Sequence, residues 1–173
     1  MQIILKEYDP DWPIQFEKTK KTIEGTLGRY IASIEHIGST SIPGLPAKPI
    51  VDMMVGLKDF SSADECVKGM ISLGFKYIQT YEDEMPFRRF FTLKQPDAGK
   101  SFNIHMVEVD TPWWSRHLLF RNFLRAREDK RLEYLTLKQD LASRDWGDTN
   151  GYAGAKTPWI RAAEAEAAAF FAQ

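Results

Sequence analysis

The sequence predicts an α+β domain built on a mixed β-sheet, and three observations carry that expectation. Helix-like and strand-like segments do not alternate strictly: a helix, a strand pair, a helix, a hairpin and then several helices follow one another. Residues 49–55 are apolar at nearly every position except Asp52, as in a central strand buried on both faces. From about residue 112 onward the pattern is mainly helical, so the sheet is confined to the first two thirds. The 173 residues fit one domain, 1–173, large enough to bury a substantial core.

Residues 2–6 read as a short strand. Asp11 before Trp12-Pro13 is helix-start chemistry, and Trp12, Phe16, Ile23 and Leu27 keep helical spacing up to Gly28. Residues 31–37 alternate apolar and polar, and Gly38-Ser39-Thr40-Ser41 breaks them into a loop that Pro43-Gly44-Leu45-Pro46 prolongs. Asp59 or Ser61 can cap a second helix carrying Val67, Met70, Ile71 and Leu73, which Gly74 stops. Residues 75–81 suggest a strand, and 87–93 and 102–109 a hairpin around the turn at 95–99. Thr111-Pro112 and Thr157-Pro158 each place a capping residue before a first-turn proline. The first opens a helix expected to reach about residue 130, and the second opens an alanine-rich C-terminal helix. Tyr134, Leu137 and Leu141 mark a helix between them.

Composition narrows the function. Lys and Arg number 23 against 24 Asp and Glu, so neither a nucleic-acid nor an anionic-membrane surface is expected. The one cysteine, Cys66, reads as a small buried hydrophobe and can form no internal disulfide. The N-terminus lacks the basic start and apolar run of a signal peptide, and no apolar run approaches a bilayer span, so the expected location is the cytoplasm.

The informative stretch runs from His36 to Asp52. Gly38 followed by Ser39, Thr40 and Ser41 gives a tight turn with bare backbone N–H groups and hydroxyl donors, which can hold a phosphate. Lys48 can add charge, and an ionised Asp52 on an apolar strand needs a cleft, a cation or a metal. The same composition also suits an ordinary loop, and no GK[ST] follows, so it is not a Walker A motif.

This run, His-Ile-Gly-Ser-Thr-Ser-Ile-Pro-Gly-Leu-Pro-Ala-Lys-Pro-Ile-Val-Asp, resembles the signature of the GrpB family, whose members are similar to nucleotidyltransferases. A related domain is fused to some dephospho-CoA kinases. The resemblance continues through Arg88-Arg89-Phe90-Phe91, the segment from Asn103 to Val107, that from Phe120 to Arg125, that from Tyr134 to Lys138, and Tyr152 and Lys156. It implies a nucleotidyltransferase-like fold in which Gly38 and Ser39 cradle nucleotide phosphates and Asp52 binds a metal. The second acid of that pattern falls on Met54 and the third near His105, which leaves one carboxylate where two-metal transfer uses two or three.

Asn103 and His105 share one face of their strand. His105 is a candidate catalytic residue and metal ligand beside Asp52, or else a histidine bonded within the structure. The divalent metal would be Mg²⁺ or Mn²⁺, with Zn²⁺ or Ni²⁺ allowed by the imidazole. Arg88 and Arg89 point to opposite sides of their strand, so at most one faces a cleft. Arg121 and Arg125, four apart on one helix face, suggest an anion site or a pair of salt bridges. Tyr152 and Lys156, also four apart, can close over a nucleotide or fix the C-terminal helix. Two functions stay open: metal-dependent nucleotidyl transfer, or non-catalytic binding of a nucleotide or phosphometabolite after loss of the second acid. A protein-interaction domain is the third, weaker reading.

Overall fold

The computed structural model describes residues 2–95 and 99–172. Within them five strands form one mixed sheet in the order β1-β2-β5-β4-β3. Helix α1 (Asp11–Leu27) precedes β1 (Ile31–Ile37), and β2 (Val51–Leu57) precedes α2 (Ala63–Ser72). Then come β3 (Lys76–Ile78), β4 (Arg89–Gln95) and β5 (Lys100–Glu108). The chain finishes in helices α3 (Pro112–Ala126), α4 (Glu128–Ala142), α5 (Thr149–Ala155) and α6 (Thr157–Phe171). Strands β2 and β5 run parallel and the other neighbours antiparallel.

The alternation of side chains along each strand divides the sheet into two environments. Val51, Met53 and Val55 of β2, with Ile104 and Met106 of β5, pack under α1 and α2 against Trp12, Phe16, Leu27 and Met70. Cys66 is buried in that same core. On the other face Met54 and Val107 meet Trp114 of α3, and the closeness of that helix requires Gly56. A Cβ there would lie 2.4 Å from Val109 and 2.7 Å from the Trp114 ring. Helix α3 packs in turn on α4 and α6. On this face a cleft opens over Asp52 of β2, Asn103 and His105 of β5 and Phe90 of β4.

Several elements differ from their sequence signals. Residues 2–6 form no strand and pair only through Lys6 with Ala47. Strand β3 is shorter than its apolar run, and Tyr81 lies in the turn after it. The helix expected to run to about residue 130 ends at Ala126, because Arg127 takes an extended conformation and α4 starts anew. Thr111 does cap α3, accepting from Trp114 N, whereas Thr157 makes no cap, since α5 leads almost directly into α6 through Lys156. Helix α5, capped by Asp148, had no clear sequence signal. The 95–99 turn falls largely on residues 96–98, outside the described residues. Among the described residues no helix is long and apolar enough to cross a membrane.

Candidate functional site

The strand registers lay two rows of side chains across the sheet face opposite α1 and α2. One row runs Asp52, Asn103, Thr92, Lys76, and the other Met54, His105, Phe90, Ile78. Asn103 donates its side-chain amide to Asp52 Oδ1 at 2.9 Å. Met54 is fully buried among Ile37, Val107 and Trp114.

The 38–41 loop sits directly on Asp52. Gly38 has φ +70°, and a Cβ there would come 2.5 Å from Asp52 Oδ2, so only glycine permits both the turn and the approach. Ser41 Oγ donates to the Gly38 carbonyl at 2.6 Å. Thr40 Oγ1 donates to the Ile50 carbonyl at 3.2 Å and so accepts from His36 Nε2 at 2.9 Å, which assigns the His36 proton to Nε2. Burial, then the charges of Arg125 and Arg121, lower the His36 pKa to about 3, so this histidine is a neutral clamp stacked on Phe16.

Those hydrogen bonds revise part of the expected ligand set. The hydroxyls of Thr40 and Ser41 are spent inside the loop. Arg121 and Arg125 do not line the cleft: they brace the loop from α3. Arg121 pairs with Glu35 at 2.7 Å and donates to the His36 carbonyl, while Arg125 donates twice to the Ser41 carbonyl at 3.0 and 2.7 Å. Ser39, Thr40, Lys48, Asp52, Arg88, His105, Tyr152 and Lys156 do line one cleft of about 430 Å³.

Lys138, which the sequence placed in the family resemblance without a role, also lines this cleft and is 2% exposed. Its signal was present: Tyr134, Lys138 and Leu141 occupy one buried face of α4, an unusual place for a charge. Its Nζ donates to the Pro46 carbonyl. Burial, then Lys156 and Lys48, lower its pKa to about 7. Lys156 falls to about 8 through burial and Lys48, with Asp52 acting against the shift. Burial also lowers the Lys48 pKa. The Lys48 and Lys156 ammonium groups sit 5.3 and 4.4 Å from the Tyr152 ring centre. The Tyr152 hydroxyl is buried with no hydrogen-bond partner among the described residues. Burial raises the Asp52 pKa, opposed by Asn103, Lys156 and Lys48.

In the same cleft, Arg88 Nη1 lies 3.0 Å from His105 Nδ1. A guanidinium only donates, so Nδ1 accepts and the His105 proton is on Nε2. Burial, then Arg88 and His117, hold the His105 pKa well below its ordinary value. This corrects the assignment of His105 as metal ligand and catalytic base beside Asp52: its available lone pair is taken by a cation, and the ring packs between Phe90 and Trp113. Arg89 turns to the opposite face, where it meets Asp64 and Glu82. His117 is a packing residue, 2.7 Å from the Trp113 carbonyl. The donor set around Asp52 does not fit a Mg²⁺ or Mn²⁺ centre, because the next strand position is apolar and sealed under Trp114. Among the described residues no three His, Cys, Asp or Glu side chains gather to hold a metal.

Comparison with known proteins places this geometry in a family. The model of the family described as GrpB protein matches residues 2–166. The chain belongs to the GrpB family. UPF0157 protein BH1888 of Halalkalibacterium halodurans is 35% identical over 92% of this chain and 79% of its own length. UPF0157 protein YqkA of Bacillus subtilis is also 35% identical, over 96% of this chain but 47% of its own length. A dephospho-CoA kinase of Mycolicibacterium paratuberculosis is 27% identical over 88% of this chain and 43% of its own. The chain thus spans about half of some relatives. Among solved structures, GrpB from Enterococcus faecalis aligns with TM-score 0.85 and 32% identity, covering 98% of this chain and 100% of that one. The Cid1 poly(U) polymerase aligns with TM-score 0.54 and 17% identity over 82% of this chain and 44% of that chain. The GrpB fold is therefore nucleotidyltransferase-like.

Proposed function

We propose that the cleft is a metal-independent binding site for a phosphorylated small molecule, with a nucleotide as the first ligand to test. The observation that carries this reading is the convergence of Lys48, Lys138 and Lys156 around the single carboxylate Asp52. Three ammonium groups supply next to the 38–41 loop the positive charge that a second and third carboxylate would otherwise recruit as metal. Burial lowers all three lysine pKa values, helped at Lys138 and Lys156 by the charge of neighbouring lysines, and a bound dianion offsets both effects. Ser39, hydrogen-bonded to Tyr134, and Tyr152, whose buried hydroxyl has no partner among the described residues, line the same walls.

Asp52 beside Gly38 favours the second reading, metal-dependent nucleotidyl transfer, and one experiment separates the two. Thermal shifts are measured for nucleoside mono- and triphosphates, with chelator and with Mg²⁺ or Mn²⁺. A ligand at about 100 times its Kd stabilises by about 2.7 kcal/mol. The binding reading expects the shift in chelator and its loss in Lys156→Met. A shift that requires metal overturns it in favour of transfer.

A further inference from the structure

Arg88 is 8% exposed, yet no carboxylate pairs with it among the described residues. Its one hydrogen-bond partner there is the neutral acceptor His105 Nδ1. The guanidinium lies 5.8 and 5.1 Å from the Tyr81 and Phe90 ring centres, and Arg88, Tyr81 and Phe90 all line the cleft. A buried cation without a counter-ion is costly. The neighbouring arginines show the ordinary solution, since Arg89 and Arg121 both meet carboxylates. His105 takes one N–H and the two rings flank the group, which leaves the other N–H groups with no protein acceptor among the described residues. A planar fork fixed in this way suits two oxygens of one anionic group.

We infer that Arg88, oriented by His105, recognises a second anionic group of the ligand whose phosphate sits among the lysines, so that the preferred ligand is a bis-anion. This rests on the reading of the lysine end as a phosphate site. The second group is a planar carboxylate or a further phosphoryl group, which present the same pair of oxygens to the fork.

Four probes test it by calorimetry in chelator: inorganic phosphate and ribose 5-phosphate with one phosphate, pyrophosphate with two, and phosphoglycolate with a phosphate and a carboxylate. The wild type is expected to prefer at least one bis-anion over ribose 5-phosphate by about tenfold or more. Preference for pyrophosphate assigns a phosphoryl group, and preference for phosphoglycolate a carboxylate. Arg88→Lys keeps the charge but loses the fork, and it should erase the preference while ribose 5-phosphate binds as before. A ratio unchanged in Arg88→Lys reduces Arg88 to background charge and overturns the inference, as does equal binding of all four probes. Binding of none removes the phosphate site and this inference with it. If the variant folds poorly, the Arg88 Nε resonance of the wild type serves instead. It should move with the bis-anion and stay in place with ribose 5-phosphate, and movement with both sinks the proposal.

Discussion

Asn103 and Asp52 are joined across β5 and β2 by a 2.9 Å hydrogen bond, while the other carboxylate oxygen of Asp52 faces Gly38. Asp52 is therefore held by neutral groups and stands near Lys48 and Lys156 as a counter-charge. Asp52→Asn removes an anion that repels phosphate, and it also removes a charge whose ionisation burial opposes. Stability should change by no more than about 1 kcal/mol, and phosphate affinity in chelator should rise about fivefold. Loss of binding in chelator would overturn the counter-charge role and make the carboxylate itself a ligand contact.

The two loop glycines should respond differently to alanine. Gly38 has φ +70° and no room, whereas Gly44 has φ +77° with nothing near its Cβ position. Gly44→Ala should cost about 1 kcal/mol of backbone strain. Gly38→Ala adds overlap with Asp52 and should cost about 2–4 kcal/mol, with loss of ligand binding. Denaturant melts of both variants check the contrast.

Affinity and stability should move in opposite directions with pH. Lys138 and Lys156 have pKa values lowered to about 7 and about 8 from 10.5. Across the interval from about pH 7 to about 10.5 the unfolded chain holds these protons more tightly, so their contribution to stability rises with pH. An anion binds the protonated lysines, so affinity falls over the same range. The phosphate monoester is already dianionic above its second pKa of about 6. From pH 7 to pH 9 the affinity should drop about tenfold, with proton uptake on binding near pH 8, visible in buffers of different ionisation enthalpy.

Arg125 tests the bracing of the loop. Its two hydrogen bonds to the Ser41 carbonyl, with no place in the cleft lining, predict a positioning role. Arg125→Ala should cost about 1–2 kcal/mol of stability and weaken binding without changing its salt dependence. Lys156→Ala should instead flatten that salt dependence. Equal salt dependence in the two variants would place Arg125 among the ligand contacts.

From α1 to β5 the order of strands and helices was legible because strands β1 and β2 carry period-two or continuous apolar patterns between strong turn residues, whereas the strand expected at residues 2–6 does not form. The loop motif was legible because Gly38, Ser39 and Asp52 lie close in sequence. What the sequence hid is long-range. The α3 arginines gave no sign that their partners would be main-chain carbonyls some 85 positions earlier, at the end of β1 for Arg121 and His36. His105 offered its chemistry but not its neighbour, and Arg88 closes off the nitrogen that a metal would need. Lys138 was visible as a charge on a buried helix face, yet only the fold shows that this face meets the 38–52 region.

Met54 marks where the nucleotidyltransferase pattern is broken, and the break extends beyond one side chain. Met54 is 0% exposed and packs with Ile37, Val107 and Trp114, and α3 lies close enough there to require Gly56. Met54→Asp would put a second carboxylate two residues from Asp52, but at a fully buried position under the Trp114 ring. It should destabilise the fold by about 3 kcal/mol or more and gain no Mn²⁺ affinity. A thermal melt and a Mn²⁺ titration of the variant check this. A variant that keeps its melting temperature and binds Mn²⁺ tightly would show that α3 yields readily, and the cleft would then be one substitution from a metal site rather than committed to lysines.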